Sequence, residues 1–402
     1  MEDINMKLTD VKFDFDDIGI TPKTHTNIVS RYEQCIPYYT KDDKLNIITQ
    51  PYHLPIITAP MNTVVGLENV GAYRKNKILV AYPRTITIYD IRKQELNQIS
   101  TFGGFTTSED CFISFGLKEF QELIKLKADS RTFPSRYFLL DVANGHMDKI
   151  LDLANQFKEL YPELFLMVGN IANPETYRWY AENSKVDAIR LGIGNGNGCL
   201  TTKQTAIGYP KASLINETFQ IKLEMNYDLV ERWKDYEKNK FEWVKSPKPN
   251  KNPQDLPLII ADGGMKDYSD IIKALALGAD YVMIGSIFNK AIESSGNNYL
   301  HMIKISPKLA EKLYAKGYPI KKHFYGMSTK IAQQKMGKTV LKTSEGVERY
   351  QKVEYTLAGW RENLEHYLRT FMSYSDARTL KDFIGHADYH FITENAFKRF
   401  NK

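Results

Sequence analysis

Short, nearly uninterrupted apolar runs recur along the chain, each followed by a polar loop and then a stretch with helical spacing. They are LPIITAP (54–60), KILVAYP (77–83), CFISFG (111–116), YFLLDVA (137–143), LFLMVG (164–169), AIRLGIG (188–194), LPLIIADGG (256–264) and YVMIGS (281–286). A continuous apolar run, unlike an alternating one, suits a strand covered on both faces, as in a parallel sheet. The intervening segments repeat their apolar residues at helical intervals. In MDKILDLANQFKELYP, Met147, Ile150, Leu151, Ala154 and Phe157 fall on one face. SDIIKALALGAD carries Gly278 just before the eighth run, a helix-stop signal. Eight strand–helix alternations predict an α/β fold of the (β/α)8 TIM-barrel class, with a doubly wound open sheet as the alternative.

Two stretches interrupt the rhythm. Residues 216–255 read as one charged helix followed by a Pro/Asn/Lys linker, too long for a simple barrel loop, and are expected to be an insertion after the sixth strand. Aromatics among the charges of WKDYEKNKFEW add a subunit contact as a second reading. Residues 289–355 form an extended excursion after the eighth strand, a flap or active-site region. From 356 onward a helical pattern is expected to close a single barrel domain spanning 1–402.

Composition narrows the class. With 402 residues, 43% hydrophobic, the chain can bury a full core. Three scattered cysteines, Cys35, Cys111 and Cys199, make neither a disulfide framework nor a metal cage, and imply a reducing, cytoplasmic setting. The acidic N-terminus does not read as a signal peptide. No stretch approaches ~18 uninterrupted apolar residues, so no membrane partner is expected. A net charge of +6 suits a small anionic ligand better than nucleic acid.

Barrel active sites lie at the C-terminal ends of the strands. There the sequence places APMNT (59–63), DVANGH (141–146), GNIAN (169–173), GNGNGCLT (194–201), ADGGM (261–265) and IGS (284–286). Gly263, Gly264, Gly285 and Ser286 follow the seventh and eighth strands, where backbone N–H groups commonly hold a phosphate; simple tight turns are the bland reading. Asp262 would repel a phosphate but suits a ribose diol. Cys35 and Cys111 read as small buried hydrophobes. Cys199 sits on the rim behind a glycine loop and before LTTK, where a thiol is placed to act as a nucleophile.

GIGNGNGCLTTKQTAIGYP resembles the catalytic loop of the IMP dehydrogenase/GMP reductase family. DFDDIGITPK, LPIITAPMNTV, DVANGH, IIADGGMKDYSDIIKALALGADYVMIGS, FYGMS and TSEGVE continue the resemblance in order over about residues 11–395. It implies a purine nucleoside monophosphate attacked at C2 by the Cys199 thiolate to give a thioimidate, with hydride exchanged with a nicotinamide. It further implies Asp262 on the ribose, with Gly264, Gly285, Ser286 and Tyr325 on the phosphate. Met327 and Ser328 would then meet the base, with Met61 and Gly326 also binding the substrate. Asp141 and Asn144 would face the cofactor, NADPH in a reductase and NAD in a dehydrogenase. Gly194, Gly196 and Cys199 would offer carbonyls to potassium, and the family resemblance points to a homotetramer or higher homo-oligomer.

Within the family the reductase branch fits better. Too few residues separate the second and third strands to hold the dehydrogenases' regulatory modules, and the Arg349–Tyr350 pair lies downstream of the dehydrogenase position. Thr201 and Glu345 match the pair with which reductases manage ammonia departure. Three positions depart from the reductase pattern. Pro83–Arg84–Thr85 replaces a histidine-flanked lysine that touches the cofactor, Asn62 replaces an acid, and Gly285–Ser286 replaces two glycines. The alternatives are a dehydrogenase without regulatory modules, a relative acting at C2 without hydride transfer, and a nucleotide-binding protein without chemistry.

Overall fold

The protein was analysed as a computed structural model, which describes residues 11–400 apart from 41–51, 103–109, 197, 240–248, 250, 338, 342, 344 and 345. Each apolar run becomes a strand of one parallel sheet: β1 (Ile56–Thr58), β2 (Val80–Ala81), β3 (Cys111–Phe115), β4 (Tyr137–Asp141), β5 (Phe165–Ile171), β6 (Ala188–Leu191), β7 (Leu258–Asp262) and β8 (Tyr281–Ile284). Neighbours in sequence are neighbours in space, and β8 pairs in parallel with β1. A bridge between Ile57 and Leu79, with Thr58 N–H donating to the Leu79 carbonyl at 2.9 Å, brings β1 to β2 and rounds the sheet into a barrel.

The strands are continuous apolar runs because both their faces are covered. Ile56, Phe138, Val168, Ile189 and Ile260 are all fully buried. The outer ring is α1 (Val70–Lys75), α2 (Ile88–Phe102), α3 (Leu117–Leu126), α4 (Asp148–Leu160), α5 (Pro174–Asn183), α6 (Lys211–Asn239), α7 (Tyr268–Ala276) and α8 (Leu357–Tyr374). Local chemistry sets their ends. Asn173 accepts the Glu175 N–H ahead of Pro174 at the first position of α5, and Asp267 accepts the Asp270 N–H at the start of α7. On α4 the buried stripe is Ile150, Leu153, Ala154 and Phe157. Met147 is the cap residue, 36% exposed, so the stripe begins one turn later than the sequence spacing suggests.

α6 begins at Lys211, and its first turns are core: Ala212, Leu214, Ile215 and Phe219 are buried. The chain between β8 and α8 folds into an antiparallel sheet of β9 (Asn298–Leu300), β10 (Ile303–Ile305), β11 (Lys321–Tyr325) and β12 (Glu348–Lys352), ordered β10-β9-β11-β12. α8 then returns to the barrel wall, where Trp360 packs on Phe288 and Tyr268. Near the ends of the described chain, Ile18–Ile20 pairs antiparallel with Tyr389–Phe391.

Candidate active site

The C-terminal ends of the strands carry a connected set of charges. From β6, the 5% exposed Arg190 side chain donates to Asp141 Oδ1 at 2.6 Å and to Asp262 Oδ2 at 2.7 Å. Burial would lower the guanidinium's pKa, but the two carboxylates beside it hold it above its ordinary value. Asn170, at the end of β5, donates to Asp262 Oδ2 and to the Gly192 carbonyl, both at 2.8 Å. Arg84 Nε stands 3.2 Å from the second Asp141 oxygen. Four strand ends are thus linked by alternating charge. Asp262 keeps its Oδ1 unbonded among the described residues, an acceptor left for a ligand.

The thiols divide as their positions predict. Cys35 and Cys111 are fully buried, and burial pushes the Cys111 thiol up to about 12. Cys199 is half-buried on the rim, its Sγ 3.1 Å from the Thr201 hydroxyl oxygen. Its N–H closes the glycine loop onto the Gly196 carbonyl at 2.8 Å.

Segments far apart in sequence meet at this loop. Cys199 bridges antiparallel to Gly346, Val347 N–H donates to the Gly198 carbonyl at 3.0 Å, and Gly326 N–H donates to the Val347 carbonyl at 3.1 Å. A Cβ at Gly326 would stand 2.4 Å from the Gly198 carbonyl oxygen, so only glycine lets the FYGMS turn approach the cysteine loop. On the other side, Gly196 Cα lies 3.1 Å from where a Cβ on Gly263 would be, which sets the ADGGM turn against the same loop. Met61 reaches Gly285, where an added Cβ would be 2.7 Å from its sulfur.

The sequence-selected residues differ in exposure. Tyr325 and Gly326 are buried, Met61, Gly264, Gly285, Ser286 and Met327 are partly buried, and Ser328 and Asn144 are exposed. Asn144 Oδ1 is turned back to accept the His146 N–H at 3.1 Å. Asn62 donates to the Thr85 hydroxyl at 2.6 Å, tying the β1 loop to the β2 loop. Glu345 lies outside the described residues, although its neighbour Gly346 is the bridge partner of Cys199. Gly194, Gly196 and Cys199 lie on the loop itself. Among the described residues no cluster of three or more His, Cys, Asp or Glu is placed to hold a metal ion.

Two residues of the site escaped the sequence reading, Arg190 and Lys211, while Asn170 was placed on the rim within GNIAN but given no role of its own. Arg190 sits inside AIRLGIG, and a charge inside an otherwise buried strand has to be paired, which was the available signal. Lys211 follows Tyr209–Pro210 at a helix start, where a lysine is ordinarily solvated, yet it is 1% exposed.

A family model described as the IMP dehydrogenase / GMP reductase domain matches residues 126–231 and 245–400, more than half of the chain. The intervening residues fall at the far end of α6 and just beyond it. Curated relatives named GMP reductase are similar to the chain over most of their length. One from Streptococcus pneumoniae serotype 4 is 27% identical over 388 residues, covering 94% of each protein. One from Oceanobacillus iheyensis is 26% identical over 396 residues, covering 96% of this chain and 97% of the relative. A third, from Streptococcus pyogenes serotype M28, is 29% identical over 289 residues, covering 71% and 72%. Among the described residues no helix is long and apolar enough to cross a membrane.

Proposed function

Given that the chain belongs to the IMP dehydrogenase / GMP reductase family of oxidoreductases, we propose that it reduces GMP to IMP and ammonia with NADPH in the cytoplasm. The observation that carries this reading is the meeting of the Cys199 loop with residues 346–347 and Gly326, which brings a thiol, the Thr201 hydroxyl and Gly346 of the SEG motif to one point of the rim. In the proposed reaction Asp262 accepts the ribose hydroxyls, and the Gly264 and Gly285–Ser286 turns with Tyr325 take the phosphate. Met61 and the Gly326–Met327–Ser328 turn flank the base.

The Cys199 thiolate adds to C2 of the purine, forming a C–S bond. The 2-amino group leaves as ammonia once protonated, and a thioimidate remains. Thr201, 3.1 Å from the sulfur, and Glu345 are the pair that delivers that proton, since an amine leaves poorly as an anion. The nicotinamide, when bound, supplies the hydride that reduces C2, and the thiolate is then expelled to release IMP. Asp141, Asn144 and Arg84 line that side, and Arg84 offers the cation there. For potassium, the Gly196 carbonyl already accepts the Cys199 N–H, so the loop as folded does not offer three uncommitted carbonyls, and no step above uses an ion.

The test is to incubate the protein with GMP plus NADPH, following nicotinamide absorbance and ammonia together, and separately with IMP plus NAD. Equal amounts of ammonia and oxidised cofactor are expected from the first mixture. XMP from the second mixture, with no IMP from the first, would replace the reductase by a dehydrogenase. Glu345→Gln should slow ammonia release about 10²-fold, the usual effect of losing a general acid–base group.

A further inference from the structure

Lys211, the first residue of α6, is 1% exposed, and its ammonium enters the rim from below. Nζ donates to the Leu191 carbonyl at 2.7 Å and to the Asp262 carbonyl at 2.6 Å, and so joins the root of the cysteine loop to the root of the ADGGM turn. The backbone makes room for it. Gly192 has φ +125°, and a Cβ there would stand 1.9 Å from Nζ; a Cβ on Gly264 would stand 3.6 Å from Cε.

The charge itself has no direct counter-ion among the described residues. Among the described residues Nζ makes no ion pair, since the Asp262 carboxylate is engaged by Arg190 and Asn170. Asp14, the other nearby acid, accepts the Lys211 backbone N–H at 3.2 Å. Carbonyl oxygens satisfy two donors but do not neutralise a cation, and a buried, uncompensated charge is costly unless something pairs it. Burial accordingly pushes the ammonium down to about 8, against the pull of Asp262 and Asp14.

We propose that Lys211 is a specificity-determining positioning residue, a fixed buried cation behind the Gly264 turn that makes the site select the phosphorylated nucleotide over the nucleoside. This rests on the reading above, in which that turn takes the phosphate. The bound dianion brings negative charge to a lysine that makes no ion pair among the described residues. The backbone turns shape the anion site, and Lys211 sets its sign.

The experiment is calorimetric titration of wild type and K211Q with GMP and with guanosine. Glutamine can still donate to a carbonyl but carries no charge. K211Q should lose about tenfold or more in affinity for GMP with guanosine binding unchanged, because a charge-assisted interaction is lost only where the anion is present. Unchanged GMP affinity, or equal losses for both ligands, would reduce Lys211 to a structural peg and overturn the proposal.

Should K211Q fail to fold, wild type alone decides. Its GMP-to-guanosine affinity ratio should fall as pH rises through about 8 towards 9.5, as the lysine loses its proton. A flat ratio overturns the proposal. The charged groups facing Lys211 are Asp14, Asp262 and Arg190. If wild type binds neither GMP nor guanosine, the functional reading fails by itself, and inorganic phosphate becomes the probe. Phosphate binding present in wild type and lost in K211Q would still support the buried cation; equal binding, or none to either, would not.

Discussion

The two ends of the barrel use buried charge for opposite purposes. At the N-terminal ends of the strands, Asp280 Oδ2 accepts the Ile259 N–H and the Lys222 ammonium, both at 2.7 Å. Asp187 Oδ2 likewise accepts the Leu166 N–H at 2.7 Å and the Lys158 ammonium at 2.9 Å. Each carboxylate there seals the start of a neighbouring strand and is matched by one lysine. At the C-terminal ends, Asp141 and Asp262 take no backbone N–H among the described residues. They share Arg190, leave acceptor capacity on the rim, and sit beside Lys211, which makes no ion pair among the described residues. A carboxylate that terminates on a backbone N–H stabilises; one left partly open is available to a ligand.

That contrast predicts effects that separate cleanly. The largest belongs to the rim: Cys199→Ser should lower turnover by about 10³-fold or more while leaving nucleotide affinity and the urea unfolding curve near wild type, since a hydroxyl is a far weaker nucleophile than a thiolate. Residual turnover above a tenth of wild type would remove Cys199 from the mechanism. At the opposite end, Asp280→Asn should cost about 1–3 kcal/mol in unfolding free energy, because it removes the charged partner of the partly buried Lys222. The folded fraction should keep its kcat/KM, and a loss of rate at unchanged stability would erase the contrast.

Asp262→Asn should raise KM for the nucleotide by an amount equivalent to about 1–3 kcal/mol, read from initial rates. Unchanged KM would place the ribose elsewhere. The smallest effect is a pH dependence in the lower half. His53 is fully buried against the Tyr281 hydroxyl at 2.9 Å, and burial pushes its imidazole down to about 3. The unfolded chain takes up that proton near the ordinary value of about 6.5 while the folded protein does not, so stability is intact above that value and is lost as pH falls towards 3. Between pH 7.5 and 5.5, wild type should lose about 1 kcal/mol more than His53→Gln in parallel urea titrations. Equal losses would mean that the imidazole is not held neutral.

The barrel was legible in the sequence because a strand buried on both faces leaves no polar positions to confuse its period, and all eight apolar runs became strands of one sheet. Cys199 stood out because its neighbours are glycines and hydroxyl residues, whereas Cys35 and Cys111 lack such neighbours and are themselves fully buried. Arg190 and Lys211 did not stand out, since their roles depend on which carboxylates and carbonyls the fold brings to them. Periodicity carries no information about such partners. The face of α4 shows a milder version: Met147 has the right spacing but lies at the cap, outside the turns that pack.

The bridge between Cys199 and Gly346 also has a consequence for the order in which the protein comes into being. All eight strands leave the ribosome before Gly346 does, so the cysteine loop emerges without the segment that pairs with it. α8, which packs Trp360 against the barrel wall, comes later still. A nascent chain long enough to complete its wall has therefore already received the segment that meets the cysteine loop, and formation of that contact coincides with completion of the fold.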